Sequence, residues 1–129
     1  MLHLLDTSVL VSLIRGKVSQ TELPARDQCV VSVISAAELE VGIHRSARPS
    51  EQRLAVAGLL ECFKVLDWDA SAVVHSGEIR SDLEKKGTPI GPLDLLIAAH
   101  ACSLGAAVVT GNVDEFRRVK GLKVVPWES

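Results

Sequence analysis

The chain has 129 residues and 47% hydrophobic content, enough for one folded unit with a real core; that excludes disordered and fibrous classes. Its net charge of −2 excludes a global basic field that would draw it onto nucleic acid, so any polyanion must be held by local patches, a metal, or both. No positively charged leader opens the sequence and no apolar run is long enough to span a bilayer, so the cytoplasm is the expected location and no membrane contact is expected.

In chain order, Leu2 to Leu5 reads as a short buried strand. Val9, Leu10, Leu13 and Ile14 recur at helical spacing from Thr7 to about Arg15, and Gly16 stops that helix. Lys17 to Gln28 is polar, contains Pro24, and holds either a short helix or a loop. Cys29 to Ile34 is β-branched and predicts a second strand, followed by a helix from Ser35 to about His44. Pro49 and Ser50 open another helix, with Val56, Leu59, Leu60 and Phe63 along one stripe.

Lys64 to Trp68 reads as a strand, and Asp69 as the N-cap of a helix from Ala70 to Lys86 that Gly87 ends. After the loop Thr88 to Pro92, Leu93 to Leu104 is helical and stops at Gly105. Ala106 to Thr110 and Lys123 to Pro126 are the last strands. Strands alternating with helices predict an α/β sandwich of one domain, residues 1–129, with a mainly parallel sheet covered on both faces. Cys29, Cys62 and Cys102 are odd in number and widely spaced, and read as free thiols.

Acidic residues recur where strands end and helices begin: Asp6, Glu38, Asp94, and the group Asn112, Asp114 and Glu115. Each has a plain structural use. Asp6 can N-cap the first helix, Ser35 and Glu38 have capping-box spacing, Asp94 suits the dipole of its helix, and Asn112 with Glu115 can form another capping pair. Taken together they fall on the carboxyl edge of the predicted sheet, where open α/β folds bind ligands. Like charges gathered there are costly without a cation, and hard carboxylate oxygens suit Mg²⁺ or Mn²⁺. Ser8 and Thr110 lie beside this edge; their hydroxyls either orient a carboxylate or make ordinary turn bonds.

Glu38 is preferred to Glu40, which lies two residues on and can pair with His44 on the surface. His3, His44, His75 and His100 show no metal-binding spacing and read as structural or surface residues. No glycine-rich phosphate loop is present.

The ordered segments LLDTSVLVSLI, VISAAELEVGI, IGPLDLLIAAHACSLGAAVVTGNVDEF and GLKVVPW resemble the PIN-domain family, and within it the VapC-type toxins of bacterial toxin–antitoxin pairs. The resemblance runs from the first strand to Trp127. It implies a three-layer sandwich around a short parallel sheet and a Mg²⁺- or Mn²⁺-dependent endoribonuclease. Asp6, Glu38 and Asp94 fall on the first three positions of the family's acidic quartet, with Asp6 and Asp94 as metal ligands. At the fourth, where many relatives have Asp, this chain has Asn112; Glu115 takes the role ahead of Asp114, and Asn112 retains a carbonyl oxygen.

The implied chemistry is in-line hydrolysis by metal-activated water, leaving a 5′-phosphate and a 3′-hydroxyl. Arg15, Arg117 and Arg118, with Lys17, Lys120 and Lys123 nearby, are candidates for gripping RNA phosphates. With few aromatics for stacking, the expected substrate is a folded RNA, and the resemblance implies tRNA before rRNA. The resemblance also implies a VapB-like antitoxin whose tail covers the site, and a toxin homodimer within a larger assembly. Leu13, Ile14, Leu39 and Ile43 are expected either to line a groove for that tail or to pack in the core. Two other functions fit acids at strand ends. One is a non-enzymatic binding module whose acids only cap helices. The other is a receiver-type phosphoacceptor, although that domain wants paired acids after the first strand and a lysine after the last.

Overall fold

The computed structural model describes residues 1–17 and 23–127. Five parallel strands form one sheet: β1 (His3–Leu5), β2 (Cys29–Ser32), β3 (Lys64–Leu66), β4 (Ala107–Thr110) and β5 (Val124–Pro126). Their spatial order is β3-β2-β1-β4-β5. Leu4 of β1 stands in register with Val30 on one side and Val108 on the other. Successive residues of a strand point to opposite faces, which divides the core in two. Leu4, Val30 and Val108 pack with Ile79 and Leu83 of α4 (Ala70–Lys85) and Ile97, Ala98 and Ala101 of α5 (Pro92–Leu104). Leu5, Val31 and Val109 pack instead with Val9 and Leu10 of α1 (Thr7–Ile14), Leu39 and Ile43 of α2 (Val33–Arg45), and Val56 of α3 (Pro49–Leu60). A last single turn, α6 (Val113–Phe116), follows β4 and buries Phe116. Helix, sheet, helix is therefore the layering.

Several element ends differ from the sequence expectation. Strand β2 stops at Ser32, two residues early, because the Ser32 hydroxyl accepts the Ile34 N–H at 3.1 Å and caps α2 there. Ser35 accordingly sits inside the helix and makes no capping box with Glu38. Strand β3 ends at Leu66; beyond it the Trp68 indole donates to the Leu96 carbonyl at 3.0 Å, tying the β3–α4 connection onto α5. Asp69 caps α4 as expected, accepting from Ser71 N at 3.1 Å. Gly105 closes α5 in the left-handed region, at φ 63°. In the polar stretch 17–28, Arg26–Gln28 form one 3₁₀ turn, and residues 18–22 lie outside the described part. The cysteines are free, with Cys29 buried and Cys62 and Cys102 half-buried. No helix among the described residues is long and apolar enough to cross a membrane.

The strand order places the site. From β1 the chain moves outward to β2 and β3, then returns to lay β4 and β5 on the other side of β1. The reversal opens a crevice at the carboxyl ends of β1 and β4, the place where open α/β sheets admit ligands.

Candidate active site

Asp6 leaves β1 at this crevice and is buried, 2% exposed. A buried carboxylate needs hydrogen-bond donors, and five neighbouring residues supply and fix them. Thr7 N donates to Oδ1 at 2.7 Å, so Asp6 does cap α1. Ser8 Oγ and Thr110 Oγ1 both donate to Oδ2, at 2.8 and 2.7 Å. Each hydroxyl is itself held by a backbone donor: Gly111 N reaches Ser8 Oγ at 3.1 Å, and Asn112 N reaches Thr110 Oγ1 at 2.8 Å. The turn after β4 is thereby locked onto the start of α1. Ser8 and Thr110 orient the carboxylate, one of the two uses open to them from sequence.

Asp94 enters from the first turn of α5, after Pro92 at its N-terminus. Its carboxyl is pushed up to about 8, first by burial, then by a hydrogen bond with Glu115, then by the negative charges of Asp6, Glu115 and Glu38. Two carboxyl groups share such a bond only if one keeps its proton. Asp94 therefore registers all four acids in one electrostatic cluster. Glu115, half-buried in α6, is the residue of the β4–α6 segment that reaches Asp94. Asp114 is exposed. Asn112 is exposed too, and its side chain makes no cap, so the expected Asn112–Glu115 capping pair is absent.

Glu38 stands on α2, and Thr7 Oγ1 lies 2.8 Å from its Oε1. Thr7 Oγ1 also lies 2.9 Å from Ser35 Oγ, which is fully buried. Neither Thr7 nor Ser35 stood out in the sequence as a site residue. The available signal was their position: Thr7 directly follows Asp6, and Ser35 precedes Glu38 by three residues, one helical turn. Glu40 behaves as expected, pairing on the surface with His44 at 2.9 Å and Arg53 at 2.7 Å.

As placed, no three Asp, Glu, His or Cys side chains among the described residues close a ligand cage. The donor chemistry nonetheless fits a hard divalent cation: carboxylate oxygens of Asp6 and Asp94 with Glu38 and Glu115 beside them, where burial, the Glu115 hydrogen bond and charge repulsion together keep one proton in the cluster. That repulsion is what a cation would relieve.

His100 is buried on α5, where its Nδ1 lies 2.7 Å from Ser32 Oγ. Ser32 Oγ also accepts from Ile34 N, so one hydroxyl ties the start of α2 to the buried imidazole. Burial pulls the imidazole pKa down, against smaller upward pulls from Asp69 and the Asp67 backbone. This histidine is structural, as the sequence suggested.

The basic candidates spread around the crevice. Exposed Arg15 shares a groove of about 360 Å³ with Thr7, Val11, Ile14, Glu38, Leu39, Gly42, Ser46 and Gln52. Arg117 is exposed at the end of α6, and Arg118 donates to the Pro89 carbonyl at 2.9 Å in the loop before α5. Of the four apolar residues considered for a groove, Ile14 and Leu39 line this one. Ile43 lies in the core, and Leu13 lines a separate hollow with Leu23, Pro24 and Phe63.

The PIN domain profile matches residues 3–122. The tRNA(fMet)-specific endonuclease VapC of Salmonella typhimurium is 38% identical over 128 residues, 96% of each chain. Ribonuclease VapC2 of Rickettsia felis is 33% identical over 133 residues, 99% of each. Among solved structures, VapBC2 from Rickettsia felis bound to a DNA fragment from their promoter superposes with a TM-score of 0.93 at 32% identity, covering 99% of this chain and 100% of that one. DNA-bound VapBC from Salmonella typhimurium gives 0.88 at 36%, with coverage of 99% and 100%.

Proposed function

The chain belongs to the PIN-domain family, and from that premise we propose that it is a VapC-type endoribonuclease toxin that uses Mg²⁺ or Mn²⁺. The observation that carries this reading is the gathering of acids where β1 and β4 end: Asp6, buried and bonded by Thr110 of β4, with Asp94, Glu38 and Glu115 close enough to act on one another. Structured RNA is the substrate class. The name of the Salmonella relative makes tRNA(fMet) the first RNA to assay, ahead of rRNA.

Asp6 and Asp94 would hold the cation, with Glu38 and Glu115 completing the anionic surroundings. A bound divalent cation supplies charge to the scissile phosphate and makes water a stronger acid. Asp6 is preset for its part: three hydrogen bonds fix its carboxylate, so little reorganisation remains. Asp94 must give up its proton to act as a ligand. Glu38 and Glu115 would hold and orient water beside the cation. Arg15, Arg117 and Arg118 grip the RNA backbone on either side without reading bases.

The solved VapBC complexes support a VapB-like antitoxin as partner. We assign its tail to the groove between α1 and α2, which ends at Thr7 and Glu38. The working unit is a homodimer of single PIN domains (residues 1–129) within a larger toxin–antitoxin assembly, acting in the cytoplasm where its RNA lies.

Incubating the purified chain with total tRNA and rRNA fragments tests this. Discrete cleavage with Mg²⁺ or Mn²⁺, abolished by EDTA and lost in Asp6→Asn and Asp94→Asn variants that remain folded, is the expected outcome. Folded wild-type protein that leaves RNA intact at every metal concentration would instead favour a binding module whose acids cap helices.

A further inference from the structure

We propose that Ser35 and Thr7 form a hydroxyl relay that sets the orientation of Glu38, making both positioning residues of the acidic site. The inference rests on reading that site as a divalent-cation centre and adds two residues to it.

Proton counting fixes the direction of the relay. A carboxylate only accepts, and a hydroxyl has one proton to give. With Thr7 Oγ1 2.8 Å from Glu38 Oε1 and 2.9 Å from Ser35 Oγ, the Thr7 proton goes to Glu38. Ser35 therefore donates to Thr7. The order is Ser35, Thr7, Glu38, each donating to the next, and the last acceptor belongs to the cluster that raises Asp94. Ser35 is fully buried and is not the cap of α2, since Ser32 fills that place. Its proton has no described acceptor other than Thr7.

Thr7 acts on two acids at once. Its backbone N–H holds Asp6 Oδ1 at 2.7 Å while its side chain holds Glu38 Oε1. Glu38 has three rotatable side-chain bonds and is only half-buried, so without this contact its carboxylate would sample several rotamers. The relay holds Oε1, and Oε2 takes no hydrogen bond from the described residues. One residue thereby sets the spacing between an acid from β1 and an acid from α2. Outer-shell partners of this kind govern how well carboxylates take a metal.

The test is Mn²⁺ affinity of the full chain, measured by calorimetry, alongside RNA cleavage. Thr7→Val keeps the shape and removes the hydroxyl, and is expected to weaken Mn²⁺ binding about tenfold and to lower kcat more than it raises KM. Thr7→Ser restores the donor and is expected to bind within about twofold of wild type, while Ser35→Ala gives a smaller loss than Thr7→Val. Folded Thr7→Val with wild-type Mn²⁺ affinity and kcat would overturn the relay. Should Thr7→Val fail to fold, Ser35→Ala decides, and wild-type Mn²⁺ affinity in that variant would overturn it equally. Wild type that binds Mn²⁺ more tightly than Thr7→Val but cuts no RNA upholds the relay and removes the nuclease reading. Wild type that cuts RNA but is matched by Thr7→Val removes the relay alone. A chain that binds no Mn²⁺ removes both.

Discussion

Asp94 links the acidic cluster to stability. Its carboxyl ordinarily titrates near 3.8 and is pushed up to about 8 in the fold, so the folded state holds a proton that the unfolded chain has lost. Stability of the metal-free protein must therefore fall as pH rises between those values. His100 acts oppositely, because its lowered pKa adds stability as pH rises towards 6.5, so the Asp94 effect is cleanest above that point. Thermal melts in EDTA are expected to show Tm falling from pH 6.5 to 8.5, a slope that Asp94→Asn flattens and Mn²⁺ reverses. Glu115→Gln should reduce the slope too, since it removes a negative neighbour and supplies an amide N–H that can donate to the ionised Asp94. A metal-free Tm that climbs across this interval would contradict the charge arrangement. Asp6, Glu38 and Asp94 were legible in sequence because each follows a strand or opens a helix; position alone gave only the group Asn112, Asp114 and Glu115, and the family resemblance picked Glu115 from it. Thr7 and Ser35 were not, because a hydroxyl has no periodic signature and their contact spans 28 residues.

Helix α2 depends on its first residues. Ser32 both caps the helix and bonds buried His100. Ser32→Ala would remove the cap, at about 1 kcal/mol, and orphan a buried imidazole nitrogen, at about 1–3 kcal/mol. A combined loss of roughly 2–4 kcal/mol in urea unfolding is expected; a change below about 0.5 kcal/mol would show that water replaces the bond. The same residue explains why α2 begins earlier than its sequence suggests. Val33 and Ile34 are β-branched and read as strand, yet the Ser32 cap turns the backbone before them. Propensity lost to a local hydrogen bond and to burial. Helices α4 and α5 were easier to read: Asp69 and Pro92 mark their starts, and Gly87 and Gly105 their stops. The shortness of β3 was hidden, because it depends on Trp68 reaching Leu96, 28 residues away.

At the scale of the molecule, the alternation of strand and helix was enough to predict a parallel layered sheet, but not the order of its strands. Nothing local in the sequence states that β4 lies beside β1 rather than β3; that follows from which apolar faces pack together. The overall charge of −2 sets a further expectation. If Arg15, Arg117 and Arg118 make the phosphate contacts, the slope of log binding constant against log salt for tRNA, measured in EDTA, should be about −2 to −3. A slope steeper than about −5 would require a much larger cationic surface than these three provide. The adjacency of β1 and β4 also governs when the acidic site can form during synthesis. The bond from Thr110 to Asp6 spans 104 residues, and Glu115 follows still later. A ribosome must release every residue through Glu115 before these parts can meet, so under the proposed function a nascent chain cut short of β4 has no complete acidic site.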